Sequence, residues 1–150
     1  MIKVLFICHG NICRSPMAEF VMKKIVKDKG IEDQFYIESA ATSTEEIGND
    51  IYPPAKAKMD EKGIPYERRG ARQITRRDYD DFDYLIGMDE ANRRNITLKM
   101  GADPLGKVSL LLDFTEKPRA ISDPWYTGDF ETTYNEVVEG TLGFLKELGF

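Results

Sequence analysis

Residues 4–16, Val4-Leu5-Phe6-Ile7-Cys8-His9-Gly10-Asn11-Ile12-Cys13-Arg14-Ser15-Pro16, constrain this chain more than any other stretch. An apolar run ends abruptly at a cysteine, and Ser15-Pro16 reads as the start of a helix. Ile2 to Ile7 is apolar apart from Lys3, which suits a strand buried on both faces of a parallel sheet. Pro16 fits a first helical position with Ser15 as N-cap. Met17, Phe20, Val21 and Ile25 then recur at helical spacing until Gly30. Strand, tight loop and helix N-terminus follow one another with no slack. Backbone N–H groups in such a loop converge on one anion, assisted by the positive end of the helix dipole. Cys8 would face that anion from the loop's entrance and Arg14 from its exit.

The remaining chain alternates strands with helices. Phe35–Ser39 is β-prone, and the small, polar segment 41–50 reads as a loop at that strand's C-terminal end. Pro53-Pro54 opens a helix that Gly63 stops, and a short helix capped by Thr75 falls within 72–81. Residues 84–88 form a third strand, Asp89 caps the next helix, and 108–112 is a fourth strand. A polar loop over 113–128 leads to a last helix with Tyr134, Val137, Val138, Leu142, Leu145 and Leu148 on one face. The pattern predicts an α/β fold: a single three-layer domain over residues 1–150, with a four-stranded parallel sheet, helices on both faces and an N-terminal phosphate-binding loop. Ligands of such sheets bind beyond the strands' C-terminal ends, at a switch point in strand order. The Cys8 loop, the Ser39 loop, Asp89 and the Asp123 loop all follow strands and can meet there.

Composition narrows the partners. Twenty-one basic and 26 acidic residues give a net charge of −5, and Arg68-Arg69 and Arg93-Arg94 are short surface pairs, so no nucleic acid is expected. The N-terminal apolar run is too short for a signal-peptide core or a membrane span, so a cytoplasmic protein without membrane attachment is expected. Two cysteines and one histidine, all inside one loop, lack the number and spacing of a zinc site, so no metal is expected.

Four further segments join the loop. Asp123-Pro124-Trp125-Tyr126, Ser39-Ala40-Ala41-Thr42-Ser43, Ala71-Arg72-Gln73-Ile74-Thr75 and Phe82–Asp89 accompany Cys8-x5-Arg14-Ser15. In order and spacing, over essentially all 150 residues, the chain resembles the low-molecular-weight protein tyrosine phosphatases. The resemblance implies hydrolysis of phosphotyrosine proteins or aryl phosphates through a phosphocysteine. Inorganic phosphate would be the product, no cofactor would be needed, and the enzyme would be a monomer or weak dimer.

The residue types suit that chemistry. A free thiol is mostly protonated at neutral pH, but a helix N-terminus and a neighbouring cation favour the thiolate, so Cys8 can be the nucleophile. Arg14 can grip two phosphoryl oxygens through its planar fork, and a cation on a first helical turn is otherwise unfavourable to the dipole. Gly10 would turn the backbone with positive φ, with Asn11 tolerating that region and bracing the loop. By the resemblance, the Ser15 hydroxyl also donates to the Cys8 thiolate, and Asp123 protonates the leaving oxygen and then activates water. Trp125 and Tyr126 would wall the pocket against an aromatic leaving group. His9 and Ile12 would line it rather than act as bases, and Ser39 would support the loop. Cys13 lacks the geometry for in-line attack; the resemblance implies a reversible disulfide with Cys8.

Three departures matter. Glu45, followed by Glu46, stands where the family often has an aromatic pocket wall, which predicts poor tolerance of acidic residues beside phosphotyrosine. Arg69 stands where many relatives carry a histidine in the network bracing the loop, so the brace is expected from Asn11, Ser15 and Ser39. Ile12 replaces the threonine of a phosphoarginine-hydrolysing subgroup and cannot donate toward a guanidinium, which favours phosphotyrosine. Arsenate reduction on a similar loop needs a redox cysteine beyond Cys13, and the chain has none. A non-catalytic phosphate binder would need neither nucleophile nor acid.

Overall fold

The computed structural model describes residues 1–150. Its sheet contains β1 (Ile2–Cys8), β2 (Phe35–Ala41), β3 (Tyr84–Gly87) and β4 (Val108–Leu110), all parallel, in the order β2-β1-β3-β4. The helices are α1 (Arg14–Asp28), α2 (Pro53–Glu61), α3 (Arg76–Asp81), α4 (Glu90–Met100), α5 (Pro124–Thr127) and α6 (Phe130–Glu147). The chain runs from β1 outward to β2, then crosses to the other side of β1 for β3. The switch point therefore lies between β1 and β3, where Cys8 and Asp89 leave the sheet.

β1 is central because both of its faces find a core. Side chains alternate across a strand. Val4, Phe6 and Cys8 join Met17, Phe20 and Val21 of α1 and Val137, Phe144 and Leu145 of α6 in one cluster. Leu5 and Ile7 join Tyr79 of α3, Ile96 of α4 and Leu85 in the other. Helices thus cover both faces, as the apolar run implied.

Three details differ from the sequence reading. The fourth strand stops at Leu110, and residues 111–114 wind into a 3-10 turn whose buried Leu111 and Leu112 face the helices. The polar loop over 113–128 contains α5, nucleated by Pro124 with Asp123 as its N-cap. Leu142 is 47% exposed, because the buried stripe of α6 runs through Gly140, Thr141, Phe144 and Leu145, and Leu142 falls beyond its edge.

α6 presses close enough to the 3-10 turn to need glycine. A Cβ at Gly143 would lie 2.3 Å from the Phe114 carbonyl oxygen. Helix propensity favours alanine by about 1 kcal/mol, whereas overpacking against backbone costs roughly 1–3 kcal/mol. Gly143→Ala is therefore expected to destabilise the fold by up to about 2 kcal/mol net, lowering Tm by a few degrees in calorimetry. A rise in Tm would show that the turn yields freely.

Candidate active site

The loop between β1 and α1 is held from outside by its carbonyls. Cys8 O accepts from Thr42 N at 3.0 Å, His9 O from Ser43 N at 3.1 Å and from the Ser43 hydroxyl at 2.8 Å. Ile12 O accepts from Tyr52 N at 2.9 Å, Cys13 O from Met17 N at 3.2 Å, and Asn11 O from the Arg69 guanidinium. In a trans peptide each carbonyl opposes the next residue's N–H, so five engaged carbonyls turn the following N–H groups toward the inner side. The Asn11 N–H meets Cys8 Sγ at 3.3 Å. The arrangement has the geometry of a backbone nest, which can bind an anion.

Asn11, at φ 58°, is the one non-glycine residue in the left-handed region. Positive φ was expected at Gly10, which does not adopt it. A Cβ at Gly10 would lie 3.3 Å from Glu46 Cγ, so the Glu46 side chain would have to give by a few tenths of an ångström. The strain at Asn11 is offset by its amide, whose Nδ2 donates to Ser15 Oγ at 2.8 Å and Ser39 Oγ at 2.9 Å, while Oδ1 accepts from Arg72 N at 3.3 Å.

This network limits where the Ser15 proton can go. Ser39 donates to Glu19 Oε1 at 2.6 Å, and Glu19 is also paired with Lys23 at 2.6 Å. With both Asn11 amide protons spent on the two serines, Ser15 already accepts one bond, and its own proton has two acceptors in reach, Cys8 Sγ at 3.1 Å and Ala40 O at a longer 3.5 Å. Ser15 is therefore not the helix N-cap. Cys13 occupies that position without a side-chain hydrogen bond, so the first N–H groups of α1 have no capping side chain to satisfy them.

Arg14 is 3% exposed. Nη1 donates to Asp89 Oδ2 at 2.9 Å and to Ile121 O at 3.1 Å, and Nη2 reaches Asp123 Oδ2 at 3.3 Å. Burial opposes its charge, but Cys8, Asp123 and Asp89 together hold its pKa above the ordinary value. Asp123 Oδ1 accepts from Trp125 N at 3.1 Å. Burial, reinforced by Cys8 and Asp123, pushes the Cys13 thiol up to about 12, so Cys13 stays protonated at neutral pH.

A cavity of about 510 Å³ opens above the loop. Cys8, His9, Gly10, Ile12, Cys13, Arg14, Asp123, Trp125 and Tyr126 line it. Asn11, Ser15 and Ser39, at 1%, 0% and 9% exposure, lie behind this lining, and their side chains bear on the loop as the expected brace. His9 Nε2 lies 2.9 Å from Glu45 Oε2 across the rim, and Glu46 stands beside it. Sequence reasoning missed Glu19, Asp89 as the partner of Arg14, the bond from Arg69 and the ring of Tyr52. Glu19 had a signal, as a carboxylate four residues from Ser15 on the buried side of α1. Asp89 follows a strand at the same edge as Cys8. Arg69 and Tyr52 had none.

The family model described as "Low molecular weight phosphotyrosine protein phosphatase" matches residues 3–149. The low molecular weight phosphotyrosine protein phosphatase of Pongo abelii is 42% identical, covering 96% of this chain and 94% of its own. The crystal structure of YfkJ from Bacillus subtilis superposes with a TM-score of 0.95 at 35% identity, covering 99% of this chain and 95% of that one. The structure of SP-PTP, a low molecular weight protein tyrosine phosphatase from Streptococcus pyogenes, gives 0.87 at 42% identity, covering 99% and 93%.

Proposed function

The chain belongs to the low molecular weight phosphotyrosine protein phosphatase family, and from that premise we propose that Cys8, Arg14 and Asp123 hydrolyse phosphotyrosine in two displacements. Cys8 Sγ attacks phosphorus and the P–O bond to tyrosine breaks, with Asp123 giving its proton to the departing phenolate oxygen. Asp123 then takes a proton from water, which attacks the phosphocysteine; the P–S bond breaks and inorganic phosphate leaves. Arg14 carries the equatorial charge in both steps. A phosphoryl oxygen takes over the Nη2 donor that Asp123 uses in the structure, freeing that carboxyl for the leaving group. Ser15 Oγ lies 3.1 Å from Cys8 Sγ, and its proton, given to the departing thiolate, makes it a better leaving group in the second step.

The observation that carries this reading is the convergence of Cys8, Arg14 and Asp123, from three separate elements, on one cavity. Trp125 and Tyr126, exposed at 53% and 84%, supply the aromatic wall for the phenol ring. The Glu45–Glu46 rim disfavours acidic residues beside phosphotyrosine through charge. The proposal includes a cytoplasmic setting and no cofactor, nucleic acid or membrane partner. No helix of the structure is long and apolar enough to cross a membrane.

The test is the leaving-group dependence of Asp123→Asn. With phenyl phosphate, kcat/KM is expected to fall on the order of 10²-fold, since a general acid contributes most to a basic leaving oxygen. With 2,4-dinitrophenyl phosphate, whose leaving group needs no proton, the loss is expected to stay within a few-fold. An equal loss on both esters would remove Asp123 from the acid role.

A further inference from the structure

We propose that Tyr52 is a positioning residue that locks the acid-bearing segment to the phosphate loop. Its role rests on Asp123 being the general acid. Tyr52 touches both halves of the site at once. Its backbone N–H donates to Ile12 O, in the phosphate loop, at 2.9 Å. Its ring lies 4.9 Å from that of Trp125 at an interplanar angle of 53°, and 6.2 Å from Phe130 at 30°. Tyr52 and Phe130 also pack against the small cluster formed by Ile12, Cys13 and Ala71.

The backbone of Tyr52 is itself fixed. Ile51 before it is 2% exposed, Pro53 after it sets the first turn of α2, and its carbonyl accepts from Ala55 N at 2.9 Å. The segment it meets is less well anchored. α5 is only four residues long and ends at Gly128 in the left-handed region, and its Trp125 and Tyr126 are exposed. Upstream, Ser122 is tied to Glu136 at 2.9 Å and Ile121 to Met88 at 2.8 Å. Asp123 takes its orientation from the other side, because Oδ1 accepts the Trp125 N–H at 3.1 Å. A displaced Trp125 therefore turns the carboxyl away from the leaving oxygen. The tilted contact with Tyr52, itself backed by Phe130, opposes that displacement, and tilted rings at such a separation are a geometry aromatic pairs favour. Replacing the Tyr52 ring leaves its backbone bond to Ile12 O in place, so the loss caused by a ring substitution should follow the general-acid step.

The experiment compares wild type, Tyr52→Phe, Tyr52→Leu and Asp123→Asn on phenyl, 4-nitrophenyl and 2,4-dinitrophenyl phosphate, reading kcat/KM. Leucine keeps apolar bulk in the fold while removing the ring contact with Trp125. A misplacement near 1 Å costs up to about 10²-fold, so Tyr52→Leu is expected to lose about tenfold on phenyl phosphate and to stay within about twofold on the dinitrophenyl ester. Tyr52→Phe keeps the ring and is expected to match wild type on all three. Trp125 is the only tryptophan, so its time-resolved anisotropy reports the segment directly and should gain a fast component in Tyr52→Leu only. Equal losses across the esters, no loss, a Phe variant as impaired as Leu, or an unchanged Trp125 anisotropy would each overturn the role of Tyr52. If Asp123→Asn itself shows no leaving-group dependence, the acid assignment fails and takes this proposal with it.

Discussion

Cys8→Ser is expected to abolish turnover of phosphotyrosine, with a loss on the order of 10⁴-fold or more in kcat. The hydroxyl that replaces the thiol keeps the size of the side chain, yet has no base beside it to make an alkoxide. Its neighbours are the Asn11 N–H, which donates to sulfur with N at 3.3 Å, and the Ser15 hydroxyl, with Oγ at 3.1 Å; neither is a base. Donors stabilise an anion already formed; they do not remove a proton from an alcohol. The fold should be untouched, because the nest is held through carbonyls that the substitution leaves in place. Equilibrium binding of inorganic phosphate should therefore persist in the variant while hydrolysis is lost. Steady-state kinetics and phosphate titration on the same preparation separate the two. Loss of phosphate binding along with activity would mean that the sulfur organises the loop.

Arg14→Lys is the second large effect, expected at on the order of 10²–10³-fold in kcat. It keeps the positive charge and changes only its shape. The guanidinium splits its donors, with Nη1 on Asp89 and Ile121 O and Nη2 turned to Asp123. One fork thus fixes the cation to the body of the protein and leaves the other for an oxygen of the substrate. An ammonium has one nitrogen and cannot be anchored and planar at the same time. The charge also stays in place at all accessible pH values, since Cys8, Asp123 and Asp89 hold the Arg14 pKa up despite burial. The loss should therefore be independent of pH, and inorganic phosphate should inhibit the variant more weakly. A variant with near-normal kcat would show that charge alone suffices and that the planar clamp is dispensable.

The sequence made the framework legible for a physical reason. A strand apolar on both faces can only be central, and the two clusters that flank β1 are the direct consequence. The short path from Cys8 to Pro16 left little freedom in the loop, so the nest was legible as well. What it concealed were competitions settled by tertiary contacts. Ser15 has the residue type and position of an N-cap, but its hydroxyl is taken by Asn11 and Cys8, so capping loses. Positive φ moved from Gly10 to Asn11 because the Asn11 amide needs that turn to reach both Ser15 and Ser39. Arg69 braces the loop by donating to the Asn11 carbonyl, which no one-dimensional pattern could show. Tyr52 lies 73 residues from Trp125 in sequence, and only the fold makes them neighbours.

The most direct test of the central claim is to catch the covalent intermediate. Acid-quenched enzyme, mixed with phosphotyrosine peptide for milliseconds and mapped by mass spectrometry, is expected to carry one phosphoryl group on the peptide that contains Cys8, at the sulfur. The label should vanish in Cys8→Ser and persist longer in Asp123→Asn, which lacks the base for the second displacement. Burst release of tyrosine peptide without any phosphoryl label on Cys8, or label on another residue, would contradict the mechanism.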